Sequence, residues 1–334
     1  MVTIKDVAKL AGVSISTVSR VINDSKPVSK EVREKVLEVI KETGYRPNDV
    51  ARSLVTRRSY LIGVIVNDLS SSYVAEMVKG VEEVGKMYDF DILLCSSYYD
   101  KDAQLKYLRL LDRKQAEGLI LIGYKYDKEI IENVKELNKP TIFFTRDLID
   151  ESLKYVKIDS KSAMYEMTNY VMKNGHKNLL YVSDYVEKST YEKEKIQGFK
   201  DAVNDNEIDK YEIIEVQGRK YKDGYKFGEK LSGRDFDYTA VVCTNDDIAY
   251  GIMNALFDND IKVPEDISVV GYGGYKESKI IRPSLTTISE PYYDIGAVAI
   301  RNLIKEIEGE EEVENKIDLP FTLIKRDSLK NLKK

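Results

Sequence analysis

The stretch VSISTVSRVINDSKPVS, residues 13–29, decides how the chain begins. It is short and mostly polar, yet Val18, Val21 and Ile22 fall at three- and four-residue spacing, which is the period of one helix face. Ser14 stands where a helix cap is wanted, and Ser29 caps the next run. On the N-terminal side, Thr3 can cap a helix with Asp6 answering at the third position. Val7 and Ala11 give that helix an inner face, and Gly12 ends it. On the C-terminal side, Val32, Val36 and Ile40 recur every four residues and Gly44 closes the helix. Two helices joined by a glycine-containing turn form a helix-turn-helix, whose second helix lies in the DNA major groove. Its outward residues here would be Ile15, Ser16, Thr17, Ser19 and Arg20. They are short polar or methyl-bearing groups and one guanidinium, suited to base edges and phosphates. An ordinary solvated helix would carry the same residue types.

Charge separates this head from the rest. Residues 1–59 hold twelve Lys and Arg against seven Asp and Glu. Totals of 52 and 57 leave 40 against 50 for the remainder. A basic head on an acidic body points to a polyanionic partner for the head. Between them lies YRPNDVARSLVTRRS, residues 45–59. Asn48 can cap a helix through about Thr56 that is too short to be stable alone. With Arg52, Arg57 and Arg58 on it, such a helix could fold on contact with DNA, and a plain basic linker is the alternative.

From Tyr60 onward, apolar runs alternate with helical patterns. LIGVIV, DILLCS, GLILIG, TIFFT and YVKID recur through residue 159, then NLLYVS, EIIEV, AVVCTND and ISVVGY through residue 272. That rhythm is the signature of βαβ units with buried parallel sheets. Two series predict two similar α/β lobes, with a ligand cleft at the carboxyl ends of their strands. Residues 285–307 read as a short strand and a long amphipathic helix, and LPFTLIKRDS closes with another strand.

Catalytic chemistry is poorly provided for. Walker, GxSxG, HExxH and GxGxxG motifs are absent from the sequence. One histidine, His176, and two distant cysteines, Cys95 and Cys243, cannot make a typical zinc site or catalytic triad, so neither metal nor cofactor is expected. No apolar run approaches the roughly 18 residues of a membrane span. The N-terminus is not a signal peptide, so the chain is expected in the cytoplasm. Asn245 and Asp246 end a strand where cleft residues sit, although N-caps sit there too. Tyr293, Ala297, Arg301 and Lys305 form one helical stripe. On spacing alone it reads as a solvated face balanced by Glu306 and Glu308.

TIKDVAKLAGVSISTVSRVIN and GYRPNDVARSL resemble the LacI/GalR family of bacterial transcription regulators. The likeness continues through GH at 175–176, TNDDIAYG at 244–251 and VPEDISVVGY at 263–272. It implies a helix-turn-helix domain at 1–46 and a hinge helix at 47–59. It also implies an N-terminal α/β lobe from 60–160 and 291–319, and a C-terminal lobe from 161–290 and 320–334, in a periplasmic-binding-protein-like arrangement. A homodimer on palindromic operator DNA is implied, with Thr3, Ser14, Ile15, Ser16, Thr17 and Arg20 at the major groove. Asn48, Ala51, Arg52, Leu54 and Val55 would serve the minor groove, with Leu54 as a wedge that kinks the duplex.

PYYDIGAVAIRNLIK and AEMVKGVEEVGKMYDFDILL are similar to the branch of the family that controls carbon catabolite genes, mainly as repressors. Its corepressor is the phosphocarrier HPr phosphorylated on serine. The implied contacts are Tyr293, Asp294, Ala297, Arg301 and Lys305, with Arg301 nearest the phosphate. A cleft for a sugar or sugar phosphate would involve Ser71, Tyr73, Lys195, Asn245, Asp246 and Gly273. Here the chain departs from the family. Gly273 stands where Asp is usual, Lys195 where a pocket Arg is usual, and Thr145 where several members have Asp. Thr322 replaces an expected basic partner contact. A stand-alone two-lobed binding protein or enzyme is the reading from another class.

Overall fold

The computed structural model describes residues 2–23, 26–45, 58–124, 126–145, 150, 152–184, 189–208, 210–233, 237–310 and 313–333. The proposed hinge residues Asn48, Ala51, Arg52, Leu54 and Val55 lie outside that set. The chain divides into a unit of residues 1–59 and a unit of residues 60–334.

The first unit contains α1 (Ile4–Ala11), α2 (Ile15–Asn23) and α3 (Lys30–Thr43). Thr3 and Asp6 close a reciprocal capping box, which satisfies backbone donors that the first turn leaves open. Gly12 ends α1 at φ +67°, a conformation that is inexpensive only without a Cβ. The Ser14 hydroxyl accepts the Thr17 amide at 3.1 Å and caps α2. Ser29, by contrast, makes no side-chain cap to α3. Val7, Ala11, Val18, Val21, Val36 and Val39 form the core. Val39 is more deeply buried than the expected Ile40, which is half-buried. Successive positions 39 and 40 share the inner face because it spans three to four residues of every two turns.

The second unit holds two six-stranded sheets. The first joins β1 (Leu61–Val66), β2 (Asp91–Ser96), β3 (Gly118–Gly123), β4 (Thr141–Thr145), β5 (Lys154–Ile158) and β11 (Lys316–Leu319), in the order β11-β5-β4-β3-β1-β2. Every pairing in it is parallel. Helices α4 (Ser72–Met87) and α11 (Tyr292–Glu308) help cover one face, while α5 (Lys101–Arg113) and α6 (Lys128–Leu137) help cover the other. With both faces buried, the central strands read as continuous apolar runs.

The second sheet joins β6 (Asn178–Asp184), β7 (Lys210–Val216), β8 (Ala240–Cys243), β9 (Ser268–Gly273), β10 (Thr286–Ser289) and β12 (Thr322–Ile324). Its order is β12-β10-β9-β8-β6-β7, and only β12 runs antiparallel. Helices α7 (Ser160–Lys173) and α8 (Thr190–Asp205) pack on one side, α9 (Tyr221–Ser232) and α10 (Asp246–Asp258) on the other. The chain passes between the sheets after β5, after β10 and after β11. Strand β11 had no apolar run to announce it: of KIDL, only Ile317 is buried.

Candidate functional site

The head presents a compact candidate nucleic-acid face. Ser14, Ile15, Ser16 and Arg20 of the α2 region are exposed and Thr17 is half-buried, while Val18 and Val21 point inward. Ser14 Oγ lies 2.7 Å from Ser16 Oγ and 2.8 Å from Thr17 Oγ1. The three hydroxyls therefore hold one another at the start of the helix, where α2's positive dipole end also favours phosphate. Ile15 is 44% exposed, an apolar group offered beside the hydroxyls. Thr3 is exposed, but its hydroxyl donates to Asp6 at 2.7 Å and serves the cap.

Between the lobes of the second unit lies a cavity of about 720 Å³, lined by Ser71, Tyr73 and Asn245 from the expected set. Three other expected residues do not line it. Lys195 is wholly buried. Its ammonium meets Glu192 Oε2 at 2.7 Å and donates to the Thr244 carbonyl at 2.9 Å and to the Thr244 hydroxyl. The rings of Tyr191 and Tyr272 flank it at 4.6 and 5.2 Å. Glu192 also accepts from Tyr181, Ser183 and Thr244 at 3.0, 2.9 and 2.5 Å. Burial opposes both charges, but the Lys195 charge and these hydroxyls outweigh it and hold the Glu192 carboxyl below the usual range.

Asp246 is wholly buried too. It accepts from Thr287 Oγ1 at 2.6 Å and from the Tyr275 amide at 2.9 Å. Burial pushes its pKa up to about 7 despite those bonds. Gly273 sits inside the second lobe at φ +133°, and a Cβ there would meet the Tyr275 ring at 2.7 Å. Asn245 does two jobs, lining the cavity and capping α10 through Ile248 N at 2.9 Å.

Sequence reasoning missed Arg219, Asp247, Tyr99, Tyr124 and Tyr275, all of which line the cavity. Arg219 stacks on Tyr124 at 4.0 Å, and its Nε lies 3.1 Å from the buried Asp184. Asp247 has its pKa raised to about 6 by burial and by Glu277. The missed signal was topological: Arg219 follows β7 and Tyr124 follows β3, at the carboxyl ends where parallel sheets place ligands.

On α11, Asp294 and Arg301 are exposed, while Tyr293 and Lys305 are half-buried. The Tyr293 hydroxyl donates to Glu83 at 2.8 Å, and Lys305 lies 3.8 Å from Glu310. Ala297 is not part of that surface. It is buried against α4, because a Cβ on Gly80 would meet the Tyr293 carbonyl at 2.1 Å and one on Gly296 the Met77 carbonyl at 1.9 Å. The two glycines let α4 and α11 approach so closely that Ala297 is enclosed.

Among the described residues, no group of three or more His, Cys, Asp or Glu could hold a metal ion, and no helix is long and apolar enough to cross a membrane. Both cysteines are free and buried. His176 is buried, with Nε2 2.9 Å from the Lys330 carbonyl of the C-terminal tail.

Residues 3–48 match the family model of bacterial regulatory proteins, lacI family, and residues 59–327 match that of periplasmic binding proteins and the sugar binding domain of the LacI family. The chain belongs to the LacI family. This LacI-family regulator is 40% identical over 329 residues to the HTH-type transcriptional regulator RegA of Clostridium saccharobutylicum, over 98% of each chain. It is 34% identical over 330 residues to catabolite control protein A of Priestia megaterium, over 98% of this chain and 99% of the relative. The lac repressor dimer bound to operator and the anti-inducer ONPF superposes with a TM-score of 0.85 at 25% identity, covering 98% and 99% of the two chains. The transcription regulator CcpA of Lactococcus lactis gives 0.74 at 28% identity, over 81% of this chain and 99% of that one. The protein is thus a DNA-binding transcriptional regulator similar to catabolite control protein A. Regulators of this family bind operator DNA, act as dimers and are not enzymes.

Proposed function

We propose that this LacI-family regulator controls carbon catabolite genes, mainly as a repressor, and binds palindromic operator DNA more tightly when serine-phosphorylated HPr docks on α11. The observation that carries the reading is Arg301. It is exposed, its guanidinium makes no hydrogen bond or ion pair among the described residues, and it lies one turn from Lys305. A guanidinium so presented suits a phosphoserine, which it can hold by two parallel hydrogen bonds. Tyr293 and Asp294 complete the surface about two turns earlier. Docking there would set the lobes and subunits so that the hinge segments, residues 48–56, fold together in the minor groove. Ser14, Ile15, Ser16, Thr17 and Arg20 would meet the major groove, with Thr3 at its edge. The substitutions at Lys195 and Gly273 support a protein corepressor, since both residues are turned into the second lobe rather than to the cavity.

The test is operator binding by fluorescence anisotropy at one fixed salt concentration, because phosphate contacts make affinity salt-dependent. The duplex is palindromic with a central CG step. Serine-phosphorylated HPr is expected to tighten binding roughly 5–150-fold, the usual span of allosteric coupling. Arg301→Glu removes that gain and leaves basal affinity unchanged. Full corepression of the Arg301→Glu protein would mean that the surface is wrongly assigned. A second reading, in which a sugar phosphate in the cleft is the effector, draws on the cavity and on Arg219 beside it. A response to a sugar phosphate alone, abolished at Arg219 and not at Arg301, would select it.

A further inference from the structure

We propose that residues 273–279 form a strap that holds the two lobes in one arrangement without a ligand in the cleft between them. Its origin is a pair of glycines. Strand β9 ends at Gly273, and Gly273 and Gly274 take φ of +133° and +69°. Such angles belong to residues without a Cβ, and space enforces the same choice. A Cβ on Gly274 would meet the Ser289 side chain and backbone at 2.5–2.6 Å. The double turn carries Tyr275 out of the second lobe, and its amide is fastened to Asp246 at 2.9 Å on the way.

Tyr275 then reaches the first lobe. Its ring stacks on Tyr73 of α4 with centroids 5.7 Å apart and planes 19° from parallel. Tyr292, the first residue of α11, closes the group at 5.4 Å from Tyr73 and 6.2 Å from Tyr275. Offset and tilted aromatic pairs at such distances attract beyond the area that they bury. The next residues add polar ties to the same helix. Lys276 pairs with Glu76 at 2.9 Å, and Ser72 Oγ lies 3.4 Å from Glu277 Oε2. Both pairs reach solvent and would hold little by themselves; the three rings are the main fastening and the charges set its register. Helix α4 therefore carries the strap at its start and the close glycine crossing with α11 farther along. A partner on α11 and the lobe arrangement would share one helix.

Both native cysteines are buried, so spin labels can be placed at Lys128→Cys on α6 and Lys193→Cys on α8, one in each lobe. The distance within one subunit is read by double electron–electron resonance on the labelled full chain mixed with an excess of unlabelled chain, so that labels in a partner subunit do not contribute. The unliganded protein is expected to give a single narrow distance that glucose 6-phosphate, used as the probe, leaves unchanged. Tyr275→Ala combined with Lys276→Glu is expected to add a second, longer distance. Gly273→Ala, whose Cβ would push the Tyr275 ring, is expected to do the same. The charge-swapped pair Glu76→Lys with Lys276→Glu, which keeps all three rings, is expected to keep the wild-type distance. Circular dichroism melts confirm that each variant folds. Two distances in the wild type, a shift on adding the probe, or a single unchanged distance in the folded Tyr275→Ala, Lys276→Glu protein would each overturn the strap. The measurement needs neither DNA nor a phosphoprotein, so its failure is separate from failure of the corepressor reading.

Discussion

Two cations of the second lobe, Lys195 and Arg219, stand beside buried carboxylates near the cleft, and their circumstances differ completely. Lys195 has no exposed surface, and its three N–H donors are matched by Glu192, the Thr244 carbonyl and the Thr244 hydroxyl. The Arg219 side chain is 30% exposed, lies against Asp184 and keeps one side on the cavity. The sequence shows only that both are basic. What separates them is whether the neighbouring acid is enclosed with the cation, as Glu192 is three residues away on the same helix, or reached from a loop. A cation enclosed with its acid specifies a core; one reached from a loop can meet a ligand. Lys195 therefore belongs to the second lobe's interior, and the cations that line the cleft are Arg219, Lys220 and Lys222.

The largest expected effect tests that assignment. Lys195→Ala leaves Glu192 buried without its cation, which costs about 3–5 kcal/mol of folding stability. Replacing both partners, Lys195→Met with Glu192→Gln, should recover much of the loss, because the desolvation of two charges disappears with them. Urea unfolding followed by circular dichroism reads both. A Lys195→Ala protein within about 1 kcal/mol of wild type would mean that the pair is not closed as described and that Lys195 can turn to the cleft.

The second effect concerns a buried acid without such a cation. The folded pKa of Asp246, about 7, lies above its ordinary value of 3.8. Between those values the folded chain keeps a proton that the unfolded chain has lost. Stability from this group is therefore full below about pH 4 and falls as the pH rises towards 7, by on the order of 2–4 kcal/mol. Asp247, raised to about 6, slopes the same way over a narrower window. Glu192, held below its ordinary value, slopes oppositely, losing its contribution as the pH falls below the carboxylate range. Asp246→Asn should flatten the descending limb in a series of unfolding curves from pH 4 to 8. An unaltered slope would show that Asp246 is ionised in the fold.

The fold was legible where periodicity and burial agree. The central strands lie on the predicted apolar runs because both faces of a parallel sheet are covered, and the head helices follow from Ser14, Gly12 and their valine faces. Strand β11 was not legible, since an edge strand needs only Ile317 inward. The DNA face could be proposed from α2 because a helix fixes which residues point outward. Lys195, Gly273 and Ala297 were misplaced because their surroundings come from distant segments: Thr244, Tyr275 and Gly80. No spacing within one helix or strand contains that information. Arg219 was within reach of the rule that ligands gather at strand carboxyl ends, but GRKYKDGY has no motif to draw the eye.

The smallest effect on stability bears most directly on the cleft. Arg219→Lys keeps a positive charge beside Asp184, yet it loses the planar group that lies 4.0 Å over Tyr124. An ammonium cannot stack in that way or present a rigid fork of donors. The expected loss of folding stability is less than about 1 kcal/mol, since exposed cation–π contacts are worth about that much. Binding of a sugar phosphate, if the cleft takes one, should fall far more steeply than stability, because phosphate recognition depends on paired parallel hydrogen bonds. Calorimetric titration of wild type and Arg219→Lys with a sugar phosphate, beside their unfolding curves, separates the two quantities. Equal binding by both proteins would leave Arg219 as a structural partner of Asp184 and Tyr124. The phosphate would then be held by the other cations that line the cavity, Lys220 and Lys222, whereas binding by neither protein would leave the regulator's response on Arg301 and the α11 surface.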